Sequence, residues 1–581
     1  MKYKLINEDK QYGSLLYQVL FNRGIEDPEH YLNTTDADII PPITIRNIHA
    51  AAQCLGVHIA AEHDIFVNVD SDCDGYTSAA FFINWLYRTF PGYAVNHVSW
   101  GMHEDKGHGI LLDKIFEVSP SKYKLVVCPD AGSEEYDKHA ILAENKIDLI
   151  IIDHHNADHY STDAIVINNQ LDENYPTKSL SGVGMVYKFC SYLDSLMDNH
   201  YADELLDIAA LGIIADVMEL KDYETRRLVD KGLNNIENPF MKAMVAKNEY
   251  SLGTALTPTG VAWYIAPAVN AITRVGTNSE KQILFEALLD HKAYTLLPST
   301  KRGHKVDEME TVVEQAVRTC TNVKKRQDKL RDGMAADIDE MIFADRLLDN
   351  KILIIGLTEP TEASRSITGL IANKLMSAYG HPVMLLNKTY DENGKVVWSG
   401  SGRNNSAMGL DSLQEFARKS GYFTLAQGHD NALGLSIPDE NMEAFIKYSN
   451  EELKDIDFTP VYAVDGEYYA DKIDPADIIN IANEKRIWGQ GIDEPLVAIK
   501  NISIVKENIN LFNTTLKITL PNDIAIVKFK SSQDEFDALN PGNGCTIIDV
   551  VGRCARNSGW DDGPEIIVED YNIVRKLDYY F

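Results

Sequence analysis

Four stretches of the 581-residue chain place acidic or imidazole side chains directly after an apolar run. FVNVDSDCDG supplies Asp70, Asp72 and Asp74, followed by Gly75. VVCPDAGS supplies Asp130, LIIIDHHNAD supplies Asp153, His154 and His155, and LGIIADVMEL supplies Asp216. Brought into one crevice, these carboxylates would repel unless cations neutralise them or several hold protons. Carboxylate plus imidazole suits Mn2+, Mg2+ and similar ions, and the ligands outnumber the need of one ion, so two are expected. Two such ions lower the pKa of a bridging water and stabilise charge on the leaving oxygen in an in-line displacement at phosphorus. An Asp-x-Asp-x-Asp-Gly run could also open a calcium loop. That loop needs a glutamate at its twelfth position, and counting from Asp70 the chain has Phe81 there. An Asp after a strand is ordinarily a turn residue or helix cap, so the signal is the four segments together and in order.

Elements must carry these groups to one place. The runs DIFVNV (64–69), KLVVC (124–128), DLIII (148–152) and AIVIN (164–168) alternate with helical stretches. Continuous apolar strands separated by helices predict a parallel sheet covered on both faces. Ligands bind such sheets at the carboxyl ends of the strands, where the first three segments lie, with Asp216 joining from a neighbouring helix. Gly75 allows a tight turn into a helix starting near Tyr76, whose first N–H groups suit phosphate.

Residues 291–349 show no strand pattern and read as a long, charge-laced helical connector. A second α/β pattern begins at KILIIGL (351–357), continues through a helix at SITGLIANKLMSAYG and reaches a strand at PVMLLN (382–387). From about residue 460 the chain turns β-rich, with five or so strands that fit a small barrel or sandwich. The predicted class is α/β, divided at 1–290, 291–349, 350–458 and 459–581.

Composition bounds the rest. Hydrophobic residues make up 45 %, enough for several cores at about 150 residues per domain. No run approaches the ~18 apolar residues of a membrane span, and the opening MKYKLINEDKQYGS has no secretory pattern. The seven cysteines contain no CxxC pair, which favours a reducing, cytoplasmic setting over a disulfide framework. The net charge of −32 weighs against tight nonspecific nucleic-acid binding, but a local basic channel can coexist with it.

Asp153-His154-His155 after an apolar strand resembles the signature of the DHH phosphoesterases. DSDCDG resembles their first motif, PDAG the second and ALGIIADVMEL the fourth. The resemblance implies metal ligands at Asp72, Asp74, Asp130, His154 and Asp216 with Asp70 close by, and catalytic roles for Asp72, Asp130, His154 and His155. Asp153 and His155 occupy motif positions that support the metals or contact the scissile phosphate.

Within the family, further segments resemble RecJ exonucleases: IAPAVNAITRVG (265–276), YPTKSLSGVGMVYK (175–188), VVWSGSGRNN, QGHDNALGLSI, IWGQGIDEP (487–495) and EIIVEDYNI (565–573). They imply substrate contacts at His155, Asn270, Arg274, Ser401, Gly402, Arg403, Gly428 and His429. They also imply a DHH-associated domain over 350–458 and an oligonucleotide-binding (OB-like) barrel over 459–581.

The implied function is two-metal hydrolysis of single-stranded DNA to mononucleotides, 5′ to 3′, in repair or recombination. The implied agent is a monomer that works with a single-stranded-DNA-binding protein or other repair proteins. The alternatives are a phosphodiesterase for short oligonucleotides or cyclic dinucleotides, and a non-catalytic replication scaffold. Four departures touch substrate contacts. Gln427 precedes Gly428-His429, Ala268-Val269 stands where a basic residue is expected, His108 replaces a tyrosine, and no Trp-His-x-Gly-like element is found in TEPTEASRSITGL (358–370).

Overall fold

The structure, a computed structural model, describes residues 1–7, 13–104, 107–117, 119, 122–253, 255–361, 365–557 and 562–578. Residues 105–106, just before His108, and 362–364, within TEPTEASRSITGL, therefore lie outside the described residues. The chain forms two compact units that do not follow sequence order. One comprises residues 23–326 and 486–493, and the other 1–22, 327–485 and 494–581. The opening strand β1 (Lys2–Leu5) belongs to the second.

The first unit is built on a five-stranded, all-parallel sheet of β2 (Asp64–Val69), β3 (Val98–Met102), β4 (Tyr123–Pro129), β5 (Asp148–Asp153) and β6 (Ile165–Asn168), in the order β3-β2-β4-β5-β6. The chain leaves β2 to one side for β3 and then crosses to the other for β4. Their carboxyl ends therefore form a topological switch point, where open α/β sheets bind ligands. The helix Cys73–Thr89 packs against the sheet and is buried from Cys73 to Leu86, along with Gly182–Met197 and Leu206–Ala215 in the same core. Beyond the sheet, β7 (Leu296–Pro298) and β8 (Met309–Thr311) pair antiparallel. This corrects the strand-free reading of 291–349. Three-residue strands carry too little alternation to register as a pattern. The helix Val312–Ala344 follows, and its 33 residues run from one unit into the other.

The second unit holds a mixed sheet of β9 (Leu353–Leu357), β10 (Val383–Tyr390), β11 (Val396–Arg403), β12 (Leu425–His429) and β13 (Ala432–Pro438), in the order β12-β13-β11-β10-β9. Next, β14 (Val461–Val464) pairs parallel with β1. A seven-stranded sheet follows: β15 (Gly466–Tyr469), β16 (Leu496–Ile504), β17 (Ile509–Phe512), β18 (Thr515–Thr519), β19 (Ala525–Lys528), β20 (Gly544–Arg556) and β21 (Pro564–Asp578). Its order is β15-β16-β20-β21-β19-β18-β17, and among the described residues no ladder joins β15 to β17, so the sheet is open. Register shifts at Ile547/Ile548 and Val551/Gly552 are the kind of bulge that bends long strands.

Candidate metal centre

Asp70 follows β2, Asp130 follows β4, and Asp153 ends β5 with His154 and His155 after it. All lie on the carboxyl side of the switch point. Asp72 caps the helix Cys73–Thr89, its Oδ1 accepting from the Gly75 amide at 3.0 Å. Asp74, in the first turn, reaches the start of the helix Gly182–Met197. There it accepts from the Ser181 hydroxyl (2.9 Å) and the amides of Gly182 (2.6 Å) and Val183 (3.3 Å). Asp216 caps the C-terminus of Leu206–Ala215. Two glycines let these helices close in. A Cβ on Gly182 would stand 2.3 Å from Asp130 Oδ1, and one on Gly212 would stand 2.3 Å from Thr77 Oγ1 and 2.5 Å from Asp74 Oδ1.

The groups meet. His154 Nε2 lies 3.2 Å from Asp130 Oδ1, 3.3 Å from Asp216 Oδ2 and 3.8 Å from Asp74 Oδ2. Asp70, Asp72 and Asp130 bring oxygens within 4.8 Å of one another, as do ligand atoms of Asp74, His154 and Asp216. Among the described residues, Asp130 Oδ1, His154 Nε2 and Asp216 Oδ2 are buried without a hydrogen-bond partner. The orphaned His154 Nε2 faces the other two orphaned atoms at 3.2 and 3.3 Å, which matches the ~3 Å between neighbouring ligands of an ion with bonds of about 2.1 Å. The residues therefore fit divalent ions. Asp130 belongs both to the Asp70-Asp72 group and to a further one with His154 and His155, and would be the ligand common to a pair.

Electrostatics agrees. Burial, then the charges of Asp74, Asp72 and Asp216, holds the Asp130 carboxyl well above its ordinary range. Burial likewise raises Asp72 and Asp74. Asp216 is pushed up to about 8 by burial and then by Asp74 and Asp72, and burial lowers His154 to about 4. Like charges ~4 Å apart cost about 4 kcal/mol even at an effective dielectric near 20. Metal-free, the cluster must hold protons; cations release them.

Strain sits on two of the loops. Asp130 has φ +63° and Val217, beside Asp216, has φ +61°. The left-handed region is costly for a β-branched residue and tends to persist where function holds it. The Val217 loop is held from a distance. The Leu220 amide donates to the Gln490 carbonyl at 2.8 Å, Thr259 Oγ1 donates to the Trp488 carbonyl, and Ile487, Trp488 and Ile492 are buried. Residues 487–493 of the IWGQGIDEP stretch thus belong to the unit that carries Asp216, and Glu494 and Pro495 to the other.

Asp153 is fully engaged. Its Oδ1 accepts from the amides of His154 (2.7 Å) and His155 (3.2 Å) and faces His155 Nδ1 at 2.8 Å, while Oδ2 accepts from the Ser133 amide. This carboxylate, held low chiefly by the hydrogen bond to His155 against the cost of burial, raises His155 to about 9. The His155 side chain is 59 % exposed, and with Nδ1 on Asp153 its Nε2 remains for an external acceptor.

Asp70 accepts from the Gly109 amide at 3.0 Å and pairs with His108 Nδ1 at 2.7 Å. Gly109 is pinned in turn, as the Asn68 side chain bonds Gly109 and Leu111, and Glu135 accepts from the Ile110 amide. His108, noted in the sequence as a departure, is thus a partner of the cluster. Ser181, Gly182 and Gly212 were missed, because only the packed helices show what they touch.

Asn270 and Arg274 stand one turn apart on the helix Ala266–Val275. Arg274 is close enough to feel the charge of Asp72, while burial lowers its pKa. Among the described residues neither side chain has a hydrogen-bond partner. Ser401, Gly402 and Arg403 end β11, and Gly428 and His429 end β12. All five pair with Ala432–Gly434 of β13, Arg403 and His429 both opposite Ala432. Ser401 Oγ lies 3.2 Å from Thr368 Oγ1.

The sequence profile of the DHH family N-terminal domain matches residues 64–213. The chain is 34 % identical over 580 residues, 99 % of both chains, to the putative SPbeta prophage-derived single-strand DNA-specific exonuclease YorK of Bacillus subtilis strain 168. It is 24 % identical to the single-stranded-DNA-specific exonuclease RecJ of the same strain, covering 98 % of this chain and 69 % of the relative. The fold matches the crystal structure of RecJ in complex with Mn2+ from Thermus thermophilus, with a TM-score of 0.71 at 20 % identity over 97 % of this chain and 76 % of that one. The chain therefore belongs to the DHH family, on its RecJ-like branch.

Proposed function

We propose that the protein is a metal-dependent exonuclease that hydrolyses single-stranded DNA to mononucleotides, 5′ to 3′, in the cytoplasm during repair or recombination. The observation that carries this reading is the convergence of three orphaned ligand atoms, on Asp130, His154 and Asp216, at the switch point. Asp70, Asp72, Asp74, Asp130, His154 and Asp216 hold two divalent ions. When bound, these supply an acidified water and neutralise charge on the phosphate and leaving oxygens. Asp153 is a positioning residue that accepts from His155 Nδ1–H and keeps the ring protonated, so that the imidazolium's Nε2–H donates to the scissile phosphate. Arg274, near Asp72, offers a guanidinium to a backbone phosphate, with Asn270 one turn away.

Ser401, Gly402, Arg403, Gly428 and His429 form a second set of strand contacts. The seven-stranded sheet serves as an OB-like grip on single strands, within a division at 290, 349 and 458. The enzyme acts as a monomer, with a single-stranded-DNA-binding protein or other repair proteins as partners.

The test is purified protein on end-labelled single-stranded DNA, duplex DNA, RNA and dinucleotides, with Mn2+, Mg2+ or chelator. Stepwise shortening of the single-stranded DNA only with metal is expected. Turnover confined to dinucleotides would favour the short-oligonucleotide reading, which the absent basic side chain at Ala268-Val269 and the net charge of −32 motivate. No metal-dependent cleavage of any substrate would favour a scaffold.

A further inference from the structure

The strand β5 carries acidic residues at both ends. Asp153 serves the metal centre. Asp148, at the other end, lies about 16 Å away at ~3.3 Å per residue and faces a different group of side chains. The helix Ile48–Ala60 presents Cys54 and His58 one turn apart, on the same face. His58 Nε2 lies 2.9 Å from Asp148 Oδ2, and ligand atoms of Cys54, His58 and Asp148 all fall within 4.8 Å of one another. The His58 side chain is 6 % exposed and that of Asp148 is 68 % exposed. The Cys54 thiol is half-buried and has no hydrogen-bond partner among the described residues.

A second histidine bears on how this trio can be used. His63 Nδ1 lies 3.0 Å from His58 Nδ1, and the His63 backbone is fixed by its amide on the His58 carbonyl and by Tyr93 Oη on its own carbonyl. Only one of the two Nδ1 atoms can carry the shared hydrogen. If it belongs to His58, His58 Nε2 is a bare lone pair 2.9 Å from a carboxylate oxygen, an arrangement that a cation settles. An imidazole that gives its second N–H to an acceptor is the usual setting of a metal-bound histidine. Nitrogen, oxygen and sulfur donors together select zinc-class ions over Mg2+. The 2.9 Å separation is within a few tenths of the ~3.3 Å edge of a tetrahedron with bonds of about 2.05 Å.

We propose that Cys54, His58 and Asp148 form a second site for a zinc-class divalent ion, independent of the metal centre, which clamps the helix Ile48–Ala60 to the leading end of β5. His63 orients His58, and water fills the fourth position.

The test uses the full chain carrying Asp130→Ala and His154→Ala, which together take at least one ligand from each of the three clusters of the metal centre. Cobalt titration of this protein is expected to produce the near-ultraviolet thiolate-to-cobalt charge-transfer band, and zinc to raise its Tm. Adding Cys54→Ser should abolish both, and adding His63→Ala should weaken binding about 10- to 100-fold. In the otherwise native chain, Cys54→Ser should leave Mn2+-dependent hydrolysis unchanged. Absence of the band, or its survival after Cys54→Ser, would overturn the site. Neither result bears on the nuclease reading, which the activity assay tests separately.

Discussion

The ends of β2, β4 and β5 and the ends of β11 and β12 were both singled out in the sequence, and they are built on opposite principles. At the first, carboxylates are buried against one another, their pKa values rise, and three ligand atoms have no partner among the described residues. At the second, His429 is exposed, and the groups sit in an ordinary antiparallel ladder. The role proposed for the first, holding metal, requires carboxylates crowded together, whereas the role proposed for the second, contacting a polyanion, requires only that donors be presented. Substitutions should therefore have unequal effects at the two places.

The largest effect is expected from Asp130→Asn. Outer-shell partners of metal ligands are worth about 10- to 100-fold, so losing a bridging ligand should cost more than 100-fold in single-strand hydrolysis. Circular dichroism should show the fold retained. Activity near that of the unaltered chain would end the contrast. His108→Ala should weaken metal binding by about 10- to 100-fold in calorimetry, because it frees Asp70 on one side. At the other end, Arg403→Ala should raise KM about tenfold with kcat nearly kept, the pattern of a uniform binding contact. A fall in kcat as large as that of Asp130→Asn would make the two places one machine.

The gentlest probe is pH. Asp216 is raised from its ordinary carboxyl value to about 8 in the folded, metal-free chain. Between those values the folded state binds more protons than the unfolded one, so its stability falls as pH rises. The Tm of chelator-treated protein should decline from about pH 5 to 8, and saturating Mn2+ should flatten that slope. A metal-free Tm that climbs over the same range would remove the electrostatic argument.

Much of the first site was legible because its ligands follow uninterrupted apolar runs such as LIII before Asp153, where strand, strand end and chemistry coincide in a few residues. Strand β3, VSWGM, was not seen, since only partial burial marks it and its residues are mixed. The roles of Ser181, Gly182 and Gly212 were hidden because each touches Asp74 or Asp130 across a long sequence gap. His108 read as a lost tyrosine, and only its 2.7 Å contact to Asp70 reveals a partner. The pairing of β1 with β14, 459 residues on, was not legible, because nothing local announces it.

The bond from Leu220 to Gln490 has a temporal consequence. Residues 486–493 emerge from the ribosome long after Asp70, Asp130, His154 and Asp216, yet they brace the loop beside Asp216. During synthesis the nascent chain holds its acidic crevice with one wall unsupported, and it becomes a finished enzyme only when nearly all of it has been made.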